Sequence, residues 1–280
     1  MPNTIFGIIN ALAAHKFGIA ATGSNPILRL PLVLLWVWAN LLLLSINNQR
    51  APLSVSEDAV NKPWRPLPQG RISPSQSKRL MYWIYAITPL ISTLVAGGLR
   101  QNFVLIFLGT WYNEFGGGDC HPLLRNAIVA VGYSCFASGA MEVALGFQLT
   151  MPLTGAPDSD VSMPLFQWLG IIVAAIVTTM HTQDMYDQEG DALRGRRTLP
   201  LVVGDGCARW ITVFWMCAWG IICPLFWGLP LLSGVSLLVF GLAAAVGVRG
   251  LLYRDVPSDK LTFWIWNVWI SCIFTLPIYC

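Results

Sequence analysis

Three aspartates stand close together in the second half of the chain, at positions 184, 187 and 191. On an α-helix this spacing places side chains on one face, so we expect the three carboxylates to project together. Carboxylates this close repel one another unless a cation lies among them. Oxygen ligands that do not close a cage suit Mg²⁺, which keeps several waters and shares its coordination shell with a substrate phosphate. Asp184, Asp187 and Asp191 are therefore candidate Mg²⁺ ligands.

Basic side chains follow these acids directly, at Arg194, Arg196 and Arg197. Guanidinium groups present planar donors that match phosphate oxygens. A mixed cluster of this kind beside a membrane helix can also be a solvated group that fixes topology or contacts anionic lipid. Taken alone, the cluster favours this second interpretation.

A second block of similar composition lies about 125 residues nearer the N-terminus. Glu57 and Asp58 precede residues 61–73, a proline-rich stretch that carries Lys62 and Arg65. Each proline fixes its own φ and restrains the residue before it, which predicts a shaped loop. Two such blocks in one chain favour a shared site for a metal ion and a diphosphate.

The elements that must position these blocks are membrane helices. Hydrophobic residues make up 55% of the chain and charged residues 11%, against about 25% charged in soluble domains. Nine apolar segments approach the length that a spanning helix needs, at residues 4–22, 31–47, 80–98, 102–116, 124–149, 165–183, 208–228, 231–251 and 261–279. We expect an all-α membrane protein with nine transmembrane helices in a single domain over residues 1–280. Ser73 is expected to cap the third of these helices, with Pro74 as its first residue.

The basic residues predict how these helices are oriented. With a cytosolic N-terminus, fourteen of the 17 lysines and arginines fall in cytosolic loops or helix ends, as the positive-inside rule requires. Both polar blocks then lie on the cytosolic side of the membrane, and the C-terminus lies on the other. The net charge of +3 forms no basic stripe, so we expect no nucleic-acid partner.

Two features of the apolar segments are not assigned to the site: one intramembrane acid with two possible roles, and a set of tryptophans interpreted as non-functional. Glu142 lies inside the fifth segment, where a carboxyl group either faces a functional cavity or is a hydrogen-bonded structural residue. The tryptophans of the last three segments are interpreted as mostly lipid-facing or interfacial; they are Trp215, Trp219, Trp227, Trp264, Trp266 and Trp269.

A diphosphate bound at the mouth of a helical bundle implies that the rest of the ligand lies among the helices. An isoprenyl diphosphate has this shape and is the predicted ligand. Mg²⁺ and arginine would stabilise the departing diphosphate, and an aromatic cavity would stabilise the allylic carbocation that remains.

The stretch at residues 61–73 with Asp58 before it, and the stretch at residues 187–200, resemble the two signature regions of the UbiA superfamily of intramembrane prenyltransferases. The resemblance covers essentially the whole chain. It implies a helical bundle around a central cavity, Mg²⁺ bound by both acidic blocks, and ionisation of a prenyl diphosphate. On this basis the catalytic candidates are Asp58, Asp187 and Asp191. The diphosphate-binding candidates are Lys62, Arg65, Arg196 and Arg197, and the metal-binding candidates are Asn48, Glu57, Asp58, Asp184, Asp187 and Asp191.

The first block departs from the pattern of the superfamily, which is Asn-Asp-x-x-Asp-x-x-x-Asp. Aligning the last acid of that pattern on Asp58 places Ser54, Ala51 and Arg50 at the other positions. Asn48 and the glutamine after it are then the remnant of the asparagine at the helix end. An Asn-Gln followed by Glu-Asp-x-x-Asn-Lys-Pro-Trp-Arg-Pro resembles a fungal branch of the superfamily in which UbiA-type terpene cyclases occur.

Our leading hypothesis is therefore a membrane-bound terpene cyclase that ionises farnesyl diphosphate with Mg²⁺ and cyclises it to a sesquiterpene. Such an activity belongs to secondary metabolism and, in a fungus, to the endoplasmic reticulum. The alternative is a prenyltransferase that moves the prenyl group onto an aromatic or quinone-precursor acceptor. A third hypothesis is a non-catalytic lipid-binding or scaffold protein that keeps the fold.

Overall fold

The computed structural model describes residues 2–20, 25–150 and 163–280. Within these ranges the regular structure is helical and contains no β-strand. The α-helices are α1 (Pro2–Leu12), α2 (Leu30–Gln49), α3 (Pro52–Asn61), α4 (Pro74–Leu94), α5 (Leu99–Glu114), α6 (Pro122–Leu145), α7 (Met163–Thr179), α8 (Gln188–Arg194), α9 (Leu199–Val203), α10 (Asp205–Phe226), α11 (Gly234–Leu252) and α12 (Val256–Thr275). Short 3₁₀ helices lie at Ala14–Phe17, Pro26–Arg29, Met180–Thr182 and Leu276–Ile278.

The helices identify a multi-pass membrane protein. Among the described residues, six segments are long and apolar enough to cross a membrane. They are Pro26–Gln49, Pro122–Leu145, Met163–Thr182, Asp205–Phe226, Gly234–Leu252 and Val256–Ile278.

The other three predicted spans are helical but do not meet that standard. α1 has 11 residues and α5 has 16, while α4 carries Lys78 and Arg79 in its first half. Residues 21 and 22 of the first predicted span lie outside the described ranges. The all-helical fold is thus confirmed with six candidate spans, and nine membrane crossings stay a prediction.

Helix α4 begins where the sequence predicts. The Ser73 side chain accepts a hydrogen bond from the Gln76 backbone N–H at 3.2 Å, and the Gln76 side chain accepts one from the Ser73 N–H at 2.8 Å. Pro74 occupies the first turn, where its missing N–H has no helical partner to lose. This reciprocal cap fixes the end of the polar stretch at residues 61–73.

The core contains aromatic side chains among its aliphatic ones, including three tryptophans that the sequence assigns to the lipid or the interface. Trp266 and Trp269 are both 0% exposed, whereas Trp264 is 70% exposed. The Trp266 indole donates to Thr179 Oγ1 at 3.0 Å, and the Trp219 indole donates to Thr178 Oγ1 at 2.8 Å. The prediction that most of these tryptophans are lipid-facing or interfacial is wrong for Trp219, Trp266 and Trp269, which are buried. Hydroxyls of α7 give two of the three indoles a hydrogen-bond partner inside the protein.

Glu142 is buried in a network at the far end of α6 from the polar blocks. Its carboxylate accepts hydrogen bonds from the Gly98 N–H at 2.8 Å, from Arg100 Nη2 at 2.6 Å and from the Leu149 N–H at 3.1 Å. These bonds tie the start of α5 to the end of α6, which matches the structural interpretation of this residue.

Candidate functional site

A cavity of about 330 Å³ opens at the two polar blocks and continues between membrane helices. Its wall is largely apolar and comes from α2, α5 and α6, with Leu41, Leu44, Leu105, Leu108, Ile128, Val129 and Phe136. Its mouth is charged, with Glu57, Lys62, Arg65, Arg125, Asp187 and Arg196. A cavity of this construction suits a ligand with an anionic head and an apolar tail.

Hydrogen bonds from Asn61 join the two polar blocks, which are distant in sequence. The Asn61 side chain donates to the Asp187 carbonyl oxygen at 3.0 Å and accepts from the Gly190 N–H at 3.2 Å. A Cβ atom on Gly190 would lie 2.3 Å from Asn61 Nδ2, so only glycine permits this approach of α8 to α3.

Ion pairs between the blocks complete the junction. Lys62 Nζ lies 2.7 Å from Asp187 Oδ2, and Arg196 Nη1 lies 2.7 Å from Glu57 Oε1. Arg196 Nη1 also lies 3.2 Å from Asp191 Oδ1. Each block thus supplies a cation to a carboxylate of the other, and these four side chains are largely withdrawn from solvent.

The three aspartates of the second block do not share one helical face. The chain leaves α7 through the 3₁₀ helix Met180–Thr182, turns through residues 183–187 and only then enters α8. Asp184 lies in the turn, Asp187 precedes α8 and Asp191 lies inside it. The predicted single helix across these positions is wrong, because bonds such as Asp184 N–H to the His181 carbonyl tighten the backbone away from the α-helix.

The turn nevertheless keeps the acids close enough to affect one another. Burial raises the pKa of Asp184 to about 6, Arg125 opposes this rise, and repulsion from Asp191 and Asp187 adds to it. Burial likewise raises the pKa of Asp187, against the attraction of Lys62. The pKa of Glu57 is also raised by burial, against the attraction of Arg196.

Asp119 is a member of the site that the sequence analysis missed. It follows a run of three glycines after α5 and accepts from Arg194 Nη2 at 3.1 Å and from Arg196 Nε at 3.0 Å. Arg194 also donates to Ser54 Oγ at 2.6 Å and to Glu57 Oε2 at 3.1 Å. An acid after a run of glycines is typical of an ordinary turn. No local pattern connects Asp119 to Arg194 and Arg196, which are 75 and 77 residues away.

Arg125 was also missed as a site residue. It lies in the first turn of α6, lines the cavity and places Nη1 2.6 Å from Asp184 Oδ1. A cation inside an apolar segment is costly and marks a functional position by default. That signal was present in the sequence and was used only to assign topology.

Unpartnered oxygens test whether these residues fit Mg²⁺. Asp184 Oδ2, Asp187 Oδ1, Asp191 Oδ2 and Asn48 Oδ1 are buried and accept no hydrogen bond from the described residues. Buried carboxylate oxygens without a donor are rare because they lose water without replacement. Asn48 and Asp187 line the cavity, so their unpartnered oxygens fit a cation that approaches from that side.

The acids do not form a ready-made cage for that cation. In the described part of the chain, no group of three or more Asp, Glu, His or Cys side chains is arranged to hold a metal ion. The carboxylates are instead turned towards Lys62, Arg125 and Arg196. The donor set therefore fits an ion such as Mg²⁺ that takes a few protein oxygens and completes its shell with water and phosphate.

The predicted site residues divide into three groups by position: those that line the cavity, those buried behind it, and one exposed residue. Those that line the cavity are Asn48, Glu57, Lys62, Arg65, Asp187 and Arg196. Asp184 and Asp191 are buried behind that surface. Asp58 is buried and accepts from Arg65 Nη1 at 2.7 Å and 2.8 Å through its two oxygens. The Arg197 side chain is exposed, while its backbone N–H donates to the Asp119 carbonyl oxygen at 3.0 Å.

Comparison with known proteins adds a family and two curated relatives. The family model described as the UbiA prenyltransferase family matches residues 8–269. Fumagillin beta-trans-bergamotene synthase of Aspergillus fumigatus is 29% identical over 248 residues, covering 88% of this chain and 79% of that protein. Digeranylgeranylglyceryl phosphate synthase of Methanopyrus kandleri is 32% identical over 197 residues, covering 67% of this chain and 63% of that protein.

A solved structure shares the fold. It is that of a UbiA homologue from Archaeoglobus fulgidus bound to GPP and Mg²⁺, with a TM-score of 0.59 over 99% of this chain and 96% of that chain. The sequence identity is 12%, so this likeness concerns the fold alone.

Proposed function

We propose a function on one premise: the chain belongs to the UbiA prenyltransferase family. It is accordingly a UbiA-type membrane enzyme. Our proposal within that class is a terpene cyclase that ionises farnesyl diphosphate with Mg²⁺ and closes the prenyl chain to a sesquiterpene. The observation that carries it is a cavity whose charged mouth is shared by both polar blocks and whose wall is apolar.

The charged mouth would bind the diphosphate. Lys62, Arg65 and Arg196 line it, and their donors match phosphate oxygens. Each of the three is paired with a carboxylate in the structure, so the arriving diphosphate would compete for them. Asp58 contributes indirectly, since it orients the Arg65 guanidinium.

The acids of both blocks would hold Mg²⁺. Asp187 and Asp191 would contribute their unpartnered oxygens, with Glu57 and Asn48 at the cavity surface and Asp184 behind it. A UbiA homologue has been solved with GPP and Mg²⁺, which supports divalent metal use in this family. When bound, the ion supplies Lewis-acid stabilisation of the departing diphosphate.

Ionisation breaks the bond between prenyl carbon 1 and the diphosphate oxygen. The electron pair leaves with the oxygen, where the basic residues stabilise the developing charge. The allylic cation remains in the part of the cavity lined by Tyr133 and Phe136, whose rings can stabilise it through cation–π contacts. Attack by one of the substrate's own double bonds then forms a ring and leaves the positive charge on a ring-side carbon. Loss of a proton from the neighbouring carbon, with the released diphosphate as the base, gives the neutral cyclic hydrocarbon.

The size of the cavity and the first block both favour cyclisation over transfer. About 330 Å³ is near the lower end of the range of about 300–1,000 Å³ for ligand cavities, which suits one substrate better than two. Arg50, at a position where the superfamily has a metal-binding residue, forms an ion pair with Glu114. Ser54, at another such position, accepts from Arg194. The similarity to a bergamotene synthase points the same way.

An acceptor-free incubation tests the proposal. Membranes that contain the protein are supplied with farnesyl diphosphate and Mg²⁺, and the headspace and organic extract are analysed for products. A cyclic hydrocarbon that disappears on adding a chelator supports the cyclase. Product that forms only after an aromatic acid or phenol is added supports prenyl transfer, and inertness in both mixtures contradicts catalysis.

Prenyl transfer remains the second candidate, supported by the similarity to digeranylgeranylglyceryl phosphate synthase. Both activities begin with the same ionisation, so the site residues keep the same roles. For either activity we propose an endoplasmic reticulum membrane with both polar blocks on the cytosolic face.

A further inference from the structure

Residues 181–188, the acidic segment, are attached to helix α10 at both ends. At one end His181 Nε2 lies 2.8 Å from Thr212 Oγ1. At the other end Gln188 Nε2 donates to Asp205 Oδ1 at 3.1 Å. The same Gln188 amide donates to the carbonyl oxygen of residue 185 at 3.0 Å, which closes the turn just before α8.

The spacing of these two contacts is the same on both partners. Gln188 is seven positions after His181, and Thr212 is seven positions after Asp205. The pairs connect in opposite order, so the acidic segment runs antiparallel to the first two turns of α10. Seven residues of an α-helix span about 10 Å. A fixed helical length therefore sets the distance between the two ends of the acidic segment.

The aspartates between the two contacts are paired with other elements. Asp184 Oδ1 lies 2.6 Å from Arg125 Nη1 on α6, and Asp187 Oδ2 lies 2.7 Å from Lys62 Nζ in the first polar block. Asp187 directly precedes Gln188. The contacts to α10 therefore restrain the backbone beside the acids without using an oxygen of Asp184 or Asp187.

Packing between the two contacts is incomplete. A second cavity, of about 10 Å³, lies between the acidic segment and α10, and its lining includes Thr182 and Met185 on one side and Arg209 and Thr212 on the other. This volume is about that needed to hold one water molecule. Close packing alone does not fix the segment against α10 here, which leaves the hydrogen bonds at its ends to do so.

Arg209 holds Asp205 in place. Its Nε donates to Asp205 Oδ2 at 2.9 Å, and its two terminal nitrogens donate to the oxygens of Asp259 on α12 at 2.8 Å and 2.7 Å. Nη1 also donates to the Gly250 carbonyl oxygen on α11 at 2.6 Å. Arg209 and Asp259 are each 2% exposed, and a paired geometry of this kind is strong. Asp205 thus offers its other oxygen to Gln188 from a support shared by three helices.

We propose that Gln188 and Asp205 are positioning residues for the metal site, and that α10 sets the length of the acidic segment at which its aspartates meet Mg²⁺. This inference rests on the proposed function. Helix α8 has only 7 residues, too few to be stable without tertiary contacts. Loss of the groups that orient metal ligands commonly weakens metal binding.

Calorimetric titration with Mg²⁺ tests this role without turnover, on the full chain in detergent. Gln188→Met keeps the size of the side chain, removes both of its hydrogen bonds and should weaken Mg²⁺ binding by about tenfold. Asp205→Ala leaves the sequence of the acidic segment unchanged and should cause a similar loss. Because both variants break one contact, the double variant should lose no more than either single variant.

A control variant and a second measurement separate positioning from general stability. Trp219→Phe removes a different hydrogen bond of α10, to Thr178 of α7, and should lower the melting temperature while keeping Mg²⁺ affinity within about twofold. Hydrogen exchange of the backbone amides at residues 183–187 reports on the segment itself. Exchange should be faster in Gln188→Met and Asp205→Ala than in the wild type, and unchanged in Trp219→Phe.

Four results would overturn the inference. Wild-type Mg²⁺ affinity in both single variants refutes it and leaves the proposed function standing. Unchanged hydrogen exchange in both variants also refutes it, because the segment then keeps its arrangement without the contact. Additive losses in the double variant would mean that Asp205 acts through its charge alone. Absence of Mg²⁺ binding by the wild type removes the proposed function and the inference together.

Discussion

At the scale of the residue, each of the three aspartates of the second block has one carboxylate oxygen with a partner and one without. Asp187 has one oxygen 2.7 Å from Lys62 Nζ and one buried oxygen without a partner. A paired oxygen keeps the side chain in place, and an unpartnered one leaves room for a metal ligand. The same division holds for Asp184 and Asp191.

Asp187→Asn should therefore reduce turnover of farnesyl diphosphate by at least about a hundredfold, because it removes a charged metal ligand and releases Lys62. The protein should remain in the membrane. Glu189→Gln is the matched control, since Glu189 is an exposed acid in the first turn of α8, which begins directly after Asp187. Turnover of Asp187→Asn equal to that of the control would refute the assignment of Asp187.

Protons should compete with Mg²⁺ at these acids. Burial raises the pKa of Asp184 to about 6 and also raises the pKa of Asp187 and of Glu57. Because a ligating carboxylate must be ionised, Mg²⁺ affinity should rise by up to about tenfold per pH unit towards pH 6 and then level off. Calorimetric titration of the wild type with Mg²⁺ between pH 5 and 7.5 measures this, and a flat profile contradicts it.

At the scale of the element, α3 and α8 form the site by packing against each other. The Asn61 side chain bridges them with two hydrogen bonds, and Gly190 allows the contact. The helices are short, with 10 and 7 residues, so they depend on this tertiary contact more than on intrinsic helix propensity.

Gly190→Ala should separate these two helices. Its Cβ would meet the Asn61 amide at 2.3 Å, and relief requires breaking both bridging hydrogen bonds, at a cost of about 1–3 kcal/mol. We expect a lower melting temperature and weaker pyrophosphate binding. Gly206→Ala is the control, because a Cβ there meets nothing within 4 Å; equal behaviour of the two variants would contradict the role of Gly190.

The sequence predicted the long elements better than the short ones. Each predicted apolar run contains a helix, because a long apolar run is a local signal that can be recognised without knowing its tertiary contacts. The turn at residues 183–187 could not be predicted, since aspartates spaced three and four apart fit a continuous helix equally well. The burial of Trp266 could not be predicted either, because its indole N–H donates to the hydroxyl of Thr179, which is 87 residues away.

Prediction of the site residues was limited in the same way, to features that are visible in a short stretch of sequence. The two blocks were recognisable because each concentrates acids and bases in a short stretch. Asp119 and Arg125 are single charges outside those stretches, and only the fold brings them to Arg196 and Asp184. Local composition identifies clusters, whereas partners that arrive singly from other elements require the tertiary structure.

At the scale of the whole molecule, the number of crossings decides which parts share a face of the membrane. α10, α11 and α12 separate Cys207 from Cys280, and both thiols are exposed. Three crossings by these candidate spans would place the two cysteines on opposite sides of the membrane. Cys207 follows the second polar block and should lie on the cytosolic side with it.

In sealed microsomes, a thiol reagent that cannot cross membranes should label Cys207 and should reach Cys280 only after permeabilisation. Single-cysteine variants that keep one of the two residues separate the signals. Labelling of both from outside in intact vesicles would contradict the predicted orientation of the last three helices.

The most direct test of the account is a structure of the protein with Mg²⁺ and a non-hydrolysable farnesyl thiodiphosphate. The account predicts that the diphosphate contacts Lys62 and Arg65 of the first block together with Arg196 of the second. The prenyl chain should lie along the wall formed by α2, α5 and α6. A diphosphate held by one block alone, or a prenyl chain outside this cavity, would contradict the central claim that both blocks form one site.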